Sequence, residues 1–160
     1  MKSEEKHEGG CACGAVRYRT LGQPDRHAVC HCRYCQLRTG APFGMGAYFR
    51  REKMTILSGK CNVYEYTTVS GSEVKTYFCV NCGTTTHWKI SSEMFEGLLA
   101  VAVGTYDPPT FWFKAEREVF LRSKADFVNN DIENKFDTSV TYKPIGEDSL
   151  RKTPIFKTGK

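Results

Sequence analysis

Between Gly46 and Ile90 the chain is dense in β-branched and aromatic residues, and over short stretches it alternates polar with apolar positions. Val63-Tyr64-Glu65-Tyr66-Thr67 has the two-residue period of a half-buried strand. Ser70-Gly71 offers a turn before Val74-Lys75-Thr76-Tyr77-Phe78, so the pattern predicts a hairpin or meander that delivers Cys79 and Cys82 at its end. The apolar run Leu98-Leu99-Ala100-Val101-Ala102-Val103, closed by Gly104 and then Asp107-Pro108-Pro109, predicts a strand covered on both faces. Glu118-Val119-Phe120-Leu121-Arg122 predicts another strand. No amphipathic helix longer than a few turns, no internal repeat and no low-complexity linker stands out, so the expected fold is mainly β. Residues 1–8 are polar and expected to be flexible, 9–143 form the domain, and 144–160, with prolines and glycines among polar residues, form a loosely held tail.

A length of 160 residues fits one domain with a core of its own. The formal net charge is +5, but Lys114, Arg117, Arg122 and Lys124 alternate with Glu116, Glu118 and Asp126. That mixture is a solvated face, which argues against nucleic acid as a partner, and the modest excess of positive charge equally suits a small anionic substrate. The polar N-terminus lacks the apolar stretch of a signal peptide, and no apolar run is long enough to span a bilayer. The expectation is a soluble cytoplasmic protein without a membrane partner, with the nucleus also compatible. In a reducing compartment, tight cysteine clusters indicate metal or redox chemistry rather than disulfides.

Seven of the eight cysteines fall into three such clusters: Cys11-Ala12-Cys13, Cys30-His31-Cys32-Arg33-Tyr34-Cys35 and Cys79-Val80-Asn81-Cys82. Cys79 to Cys82 followed by Gly83 has the form of a zinc knuckle, and Cys11-Ala12-Cys13 is likewise followed by Gly14. In an extended segment residues two apart share a side, so Cys11 and Cys13 can share a metal, as can Cys30 and Cys32. Two pairs close one four-thiolate site and leave three thiolates with an open fourth position. Spacing alone also permits Cys32 and Cys35 to complete a four-thiolate site with Cys79 and Cys82, but two zinc sites are favoured over one because a single site leaves three clustered cysteines unexplained.

These motifs, with Gly10-Cys11-Ala12-Cys13-Gly14-Ala15-Val16-Arg17-Tyr18, Thr39-Gly40-Ala41-Pro42-Phe43, Phe78-Cys79 and Cys82-Gly83-Thr84, resemble the family of glutathione-dependent formaldehyde-activating enzymes and centromere protein V. Val103-Gly104-Thr105-Tyr106-Asp107 and Ser123-Lys124-Ala125-Asp126 extend the likeness over roughly Gly9 to Phe127. The resemblance implies a zinc-containing β-tent fold of antiparallel sheets. It implies a structural zinc on Cys11, Cys13, Cys79 and Cys82, and a second, labile zinc on Cys30, Cys32 and Cys35, the catalytic set. The implied reaction joins glutathione or a similar thiol to formaldehyde or a related small aldehyde, formally a carbon-sulfur lyase reaction run in reverse. A non-catalytic carrier of glutathione or its adduct, and a chromatin-associated scaffold, are the alternative functions. Gln36 stands where the family commonly has a basic residue, and Phe127 where Trp is common.

A three-thiolate site suits a sulfur substrate on chemical grounds. Three thiolates outweigh the charge of a zinc ion and weaken it as a Lewis acid toward water, while a soft site still takes a fourth sulfur and deprotonates it. Thr39, Gly40 and Pro42 are the candidates for substrate contact, from a loop after the second cluster. His31 should point away from its flanking cysteines. His87 is expected to be a packed strand histidine and Cys61 an inert thiol. Tyr64, Tyr66 and Tyr77 are expected to be sheet and core residues.

Overall fold

A computed structural model describes residues 5–144. In chain order its elements are β1 (Lys6–Gly10), β2 (Arg17–Leu21), β3 (Arg26–Cys30), α1 (Arg33–Thr39), β4 (Gly44–Arg50), β5 (Met54–Ser58), β6 (Cys61–Thr67), β7 (Glu73–Cys79), β8 (Thr85–Ile90), β9 (Leu98–Ala102), β10 (Arg117–Val119) and β11 (Asn134–Lys135). The protein is mainly β. Among the described residues the strands form a small antiparallel sheet, β1-β2-β5, and a large one ordered β11-β10-β3-β4-β9-β8-β7-β6. The large sheet is mixed rather than purely antiparallel, because β10 runs parallel to both β3 and β11. No helix among the described residues is long and apolar enough to cross a membrane.

The two-residue strand period divides the residues of β4 and β9 between two faces. One face carries Ala47, Phe49, Leu99 and Val101, which pack with Tyr18 and Met54 of the small sheet into the main core. Fully burying side chains of this size contributes about 1.5–3 kcal/mol each. On the other face Tyr48, Ala100 and Ala102 pack with Val74, Trp88 and Tyr66. β9, the continuous apolar run, lies between β4 and β8 with Leu99, Ala100 and Val101 all buried, as a strand covered on both faces requires.

Three expectations shift. The Val63–Thr67 alternation belongs to β6, but that strand is the outer edge of the large sheet, and Val63 and Tyr64 are 45% and 55% exposed. With no neighbour beyond the edge, only Tyr66 is partly covered, by stacking on Tyr34 at 5.4 Å between ring centroids. The predicted strand from Glu118 to Arg122 stops at Val119, because Phe120 takes the left-handed conformation (φ 60°) and starts a 3-10 turn. The polar leader contributes Lys6, His7 and Glu8 to β1, where they pair with Leu21, Thr20 and Arg19. Of the expected tail, all but Pro144 lies outside the described residues.

Candidate metal centres and the adjoining cleft

The first centre joins two loops distant in sequence. In one, the Gly14 N–H donates to the Cys11 carbonyl at 3.0 Å and Gly14 holds φ 77°; in the other, the Gly83 N–H donates to the Cys79 carbonyl at 3.0 Å with φ 72°. Both glycines supply the left-handed backbone that a tight knuckle needs. The sulfurs of Cys11, Cys13, Cys79 and Cys82 all lie within 4.8 Å of one another, with Cys11 to Cys13 at 3.5 Å and Cys13 to Cys79 at 3.7 Å. A tetrahedron with metal–sulfur bonds of about 2.3 Å has edges of about 3.8 Å, so the four donors fit zinc. Backbone N–H groups of Val16 and Asn81 donate to the sulfurs of Cys11 (3.2 Å) and Cys79 (3.4 Å). The Ala12 N–H donates to Thr84 Oγ1, which frees the Thr84 hydroxyl to donate to Cys82 Sγ at 3.2 Å. These bonds from Thr84 pull the Cys82 thiol down to about 5. Cys82 is therefore prepared as a thiolate, whereas at Cys13 a backbone bond at Ala15 is outweighed by the neighbouring Cys11 sulfur and by burial, which push that thiol up to about 11.

The second centre is built at the junction of β3 and α1. Cys30 ends the strand, Cys32 caps the helix with its sulfur accepting the Cys35 N–H at 3.4 Å, and Cys35 returns one turn later. Their three sulfurs lie within 4.8 Å of one another and no fourth Cys, His, Asp or Glu joins them among the described residues. Hydrogen bonds from Cys30 and Cys32, then Arg38, hold the Cys35 thiol well below the usual thiol range although burial opposes this, while the contacts with Cys32 and Cys35, together with burial, push Cys30 up. The donor set fits a metal that retains an open position. The three cysteines line a cleft of about 1580 Å³, together with Arg38, Tyr48, Tyr66 and Trp88.

With two cysteine centres of these compositions in place, the comparison with known families is decisive. Residues 6–123 match the profile of the glutathione-dependent formaldehyde-activating enzyme family. The chain belongs to that family. It is 30% identical over 83 residues to a protein of Schizosaccharomyces pombe named an uncharacterized lyase, a match that covers 52% of this chain and 57% of the relative. The chain thus spans little more than half the length of that relative. A solved Rhodobacter sphaeroides protein is also similar, at 23% identity and a TM-score of 0.49, covering 68% of this chain and 97% of that one.

Around the family's cysteine motifs, the remaining sequence candidates separate into supports and bystanders. Thr39 and Gly40 close α1: the Thr39 hydroxyl lies 2.9 Å from the Cys35 carbonyl and 3.0 Å from that of Phe43, and Gly40 takes φ 67° with its N–H on the Gln36 carbonyl. The Pro42 carbonyl accepts from Gln36 Nε2 at 3.2 Å, and the same amide group donates to the Ser123 carbonyl at 3.2 Å. None of Thr39, Gly40 and Pro42 lines the cleft. Gln36 therefore serves as a tie between α1 and two loops. Phe127 is exposed.

His31 points away from the three sulfurs, as strand alternation requires, and is fully buried with Nε2 at 2.8 Å from Glu118 Oε1. Glu118 is also fully buried, on β10, and accepts from Lys124 Nζ at 3.0 Å and Asn130 Nδ2 at 2.8 Å. Burial alone would raise its carboxyl, but Lys124, His31 and Asn130 outweigh it and hold the group below the usual range. His87 is a packed strand residue, stacked on Tyr77 at 4.5 Å, and burial pushes it down to about 4. Cys61 sits opposite Cys79 across the β6–β7 ladder, outside the four-sulfur cluster, with its thiol raised by burial.

Arg38, Tyr48 and Trp88 carry no sequence signal of their own. Arg38 passes for a surface residue of a short helix, and Tyr48 and Trp88 for ordinary strand aromatics. Tyr66 was expected to be a sheet residue; it is one, and it also lines the cleft.

Proposed function

We propose that this protein is a carbon-sulfur lyase-type enzyme that forms the adduct of glutathione, or a similar thiol, with formaldehyde or a related small aldehyde. Cys11, Cys13, Cys79 and Cys82 hold a structural zinc that pins the β7–β8 turn to the loop after β1, inside a fold of the β-tent kind. Cys30, Cys32 and Cys35 hold a labile zinc, which when bound supplies an open position for a soft ligand and acidifies a thiol that occupies it. The protein works in the cytoplasm on small molecules. The observation that carries this reading is a half-buried set of three convergent cysteines facing a cleft, in a chain of this family. The lyase name of the fission-yeast relative is consistent with it.

In the reaction the thiol gives up its proton, its sulfur adds to the carbonyl carbon, and the carbonyl π pair becomes an alkoxide that takes up a proton. The cleft walls suit that last step. Burial raises the hydroxyls of Tyr48 and Tyr66 above the usual phenol range although Arg38 opposes it, so both are protonated at neutral pH. Each can donate an O–H toward the developing oxyanion without itself ionising. Arg38 and Trp88 narrow the cleft beside Cys35. Thr39, Gly40 and Pro42 act here by fixing the end of α1, and so the position of Cys35, rather than through the cleft wall.

The test is the rate of S-(hydroxymethyl) adduct formation from glutathione and formaldehyde, measured by NMR exchange, relative to buffer. The expected result is acceleration by the zinc-loaded protein and its loss in Cys35→Ser, with circular dichroism and one zinc per chain retained. Glutathione binding without acceleration would assign a carrier role instead, and unchanged turnover in Cys35→Ser would refute the assignment of that cluster.

A further inference from the structure

Arg38 occupies a place that the cysteine chemistry does not by itself require. It lies one helical turn after Cys35, and its Nη2 reaches to 3.6 Å from Cys35 Sγ. Its guanidinium carbon sits 3.5 Å from the centre of the Trp88 ring, and Trp88 is only 1% exposed. The slot is closely fitted. A Cβ at Gly44 would fall 3.0 Å from Arg38 Nη2 and 3.1 Å from Cys35 Cβ, and one at Gly46 would fall 2.6 Å from Trp88 Cζ2. Two glycines at the start of β4 thus leave room for the cation on one side and for the ring that carries it on the other.

A cation placed this way calls for an anion. Among the described residues no carboxylate lies within ion-pair distance of Arg38; burial works against its charge, and the neighbouring sulfur of Cys35, 3.6 Å away, is the foremost group that offsets it. A guanidinium resists deprotonation, is weakly hydrated and stacks on aromatic faces, so it stays charged where a lysine would shed its proton. Three thiolates around a divalent ion leave one net negative charge. A second anion entering the open position would meet that charge in a cleft partly shielded from water, where Coulomb forces are several times stronger than in bulk solvent.

We propose that Arg38 is a specificity-determining residue: it neutralises the three-cysteine centre so that the open position accepts an anionic sulfur, a thiolate, in preference to a neutral ligand of the same size. This rests on the thiol-adduct reading above and adds to it the residue that selects the substrate's charge state. Arg38 acts from beside Cys35, and the Trp88 face keeps its charge directed at the cluster. Tyr48 and Tyr66, being neutral, supply hydrogen bonds but no compensating charge. A lysine at this position keeps the charge but loses the stacked, planar contact, so it restores the preference only in part.

The experiment uses the full chain loaded with cobalt(II), whose absorption reports the ligands directly. Wild type, Arg38→Met, Arg38→Gln and Arg38→Lys are titrated separately with 2-mercaptoethanol, which enters as a thiolate, and with imidazole, which enters neutral. The expected result is that both uncharged variants bind the thiol about tenfold or more weakly while imidazole affinity stays within about twofold, with Arg38→Lys in between. Thiol and imidazole affinities that are unchanged, or fall together, in the uncharged variants would overturn the role of Arg38 while leaving the thiol reading standing. A wild-type cobalt protein that takes imidazole but no thiol would overturn the thiol reading itself, and this inference with it. Imidazole binding also certifies that each variant has kept the site, and two uncharged side chains guard against one that fails to fold.

Discussion

Glu118 is fully buried, ionised and bonded on three sides, and its removal is the sharpest test of how the second centre is supported. In Glu118→Ala the side chains of Lys124, His31 and Asn130 each lose a partner now held at 2.8–3.0 Å. Breaking a buried ion pair by deleting one partner costs about 3–5 kcal/mol, and a hydrogen bond to a charged group contributes about 1.5–3 kcal/mol. Lys124 keeps some exposure (18% of its side chain) and can turn toward water, so the lower end applies, about 3 kcal/mol. For a domain of this size that corresponds to a midpoint lowered by about 6–12 °C. Glu118→Gln keeps an acceptor for His31 and loses only the charge, which predicts about 1–2 kcal/mol. The assay is thermal unfolding followed by circular dichroism at fixed protein and zinc concentrations. The sign of the pH dependence is also set. The carboxyl of Glu118 ionises more readily in the folded protein than in the unfolded chain, where its ordinary value is near 4.5, so its contribution is complete above that value. It is lost as pH falls through the lowered folded-state value, and the gap between wild type and Glu118→Gln should close there. A Glu118→Ala protein within about 0.5 kcal/mol of wild type at pH 7 would refute the claim that this network stabilises the fold.

Two further outcomes test the packing and the first centre. Gly46→Ala forces a Cβ to within 2.6 Å of the Trp88 ring, which is buried and cannot swing aside, so a loss of about 1–3 kcal/mol is expected in the same unfolding assay; a neutral result would mean that β4 and β8 are less closely packed than described. Cys79→Ser removes one of the four sulfurs that join loops far apart in sequence, so zinc content should fall by one per chain and the cooperative transition should broaden or disappear; retention of both zincs would show that Cys11, Cys13 and Cys82 suffice.

Local chemistry was legible from the sequence because it depends on neighbours along the chain. Cysteines two or three residues apart with a following glycine form a knuckle wherever they fall, and the uninterrupted apolar run Leu98–Val103 had to be covered on both faces, as β9 is. The alternation that turned His31 away from Cys30 and Cys32 is equally local. Spacing by itself left open which clusters share a metal, since Cys13 and Cys79 are brought to 3.7 Å only by the way the strands assemble. The exposure of β6 was illegible for the same reason, since a half-buried pattern does not say whether its strand will end up at an edge. Arg38 and Glu118 are the clearest cases. As residues they are ordinary surface charges, and what makes them informative is burial against Trp88 and Cys35 in one case, and against His31 and Lys124 in the other. Electrostatic roles of this kind depend on distance and on exclusion of water, and both are properties of the assembled chain.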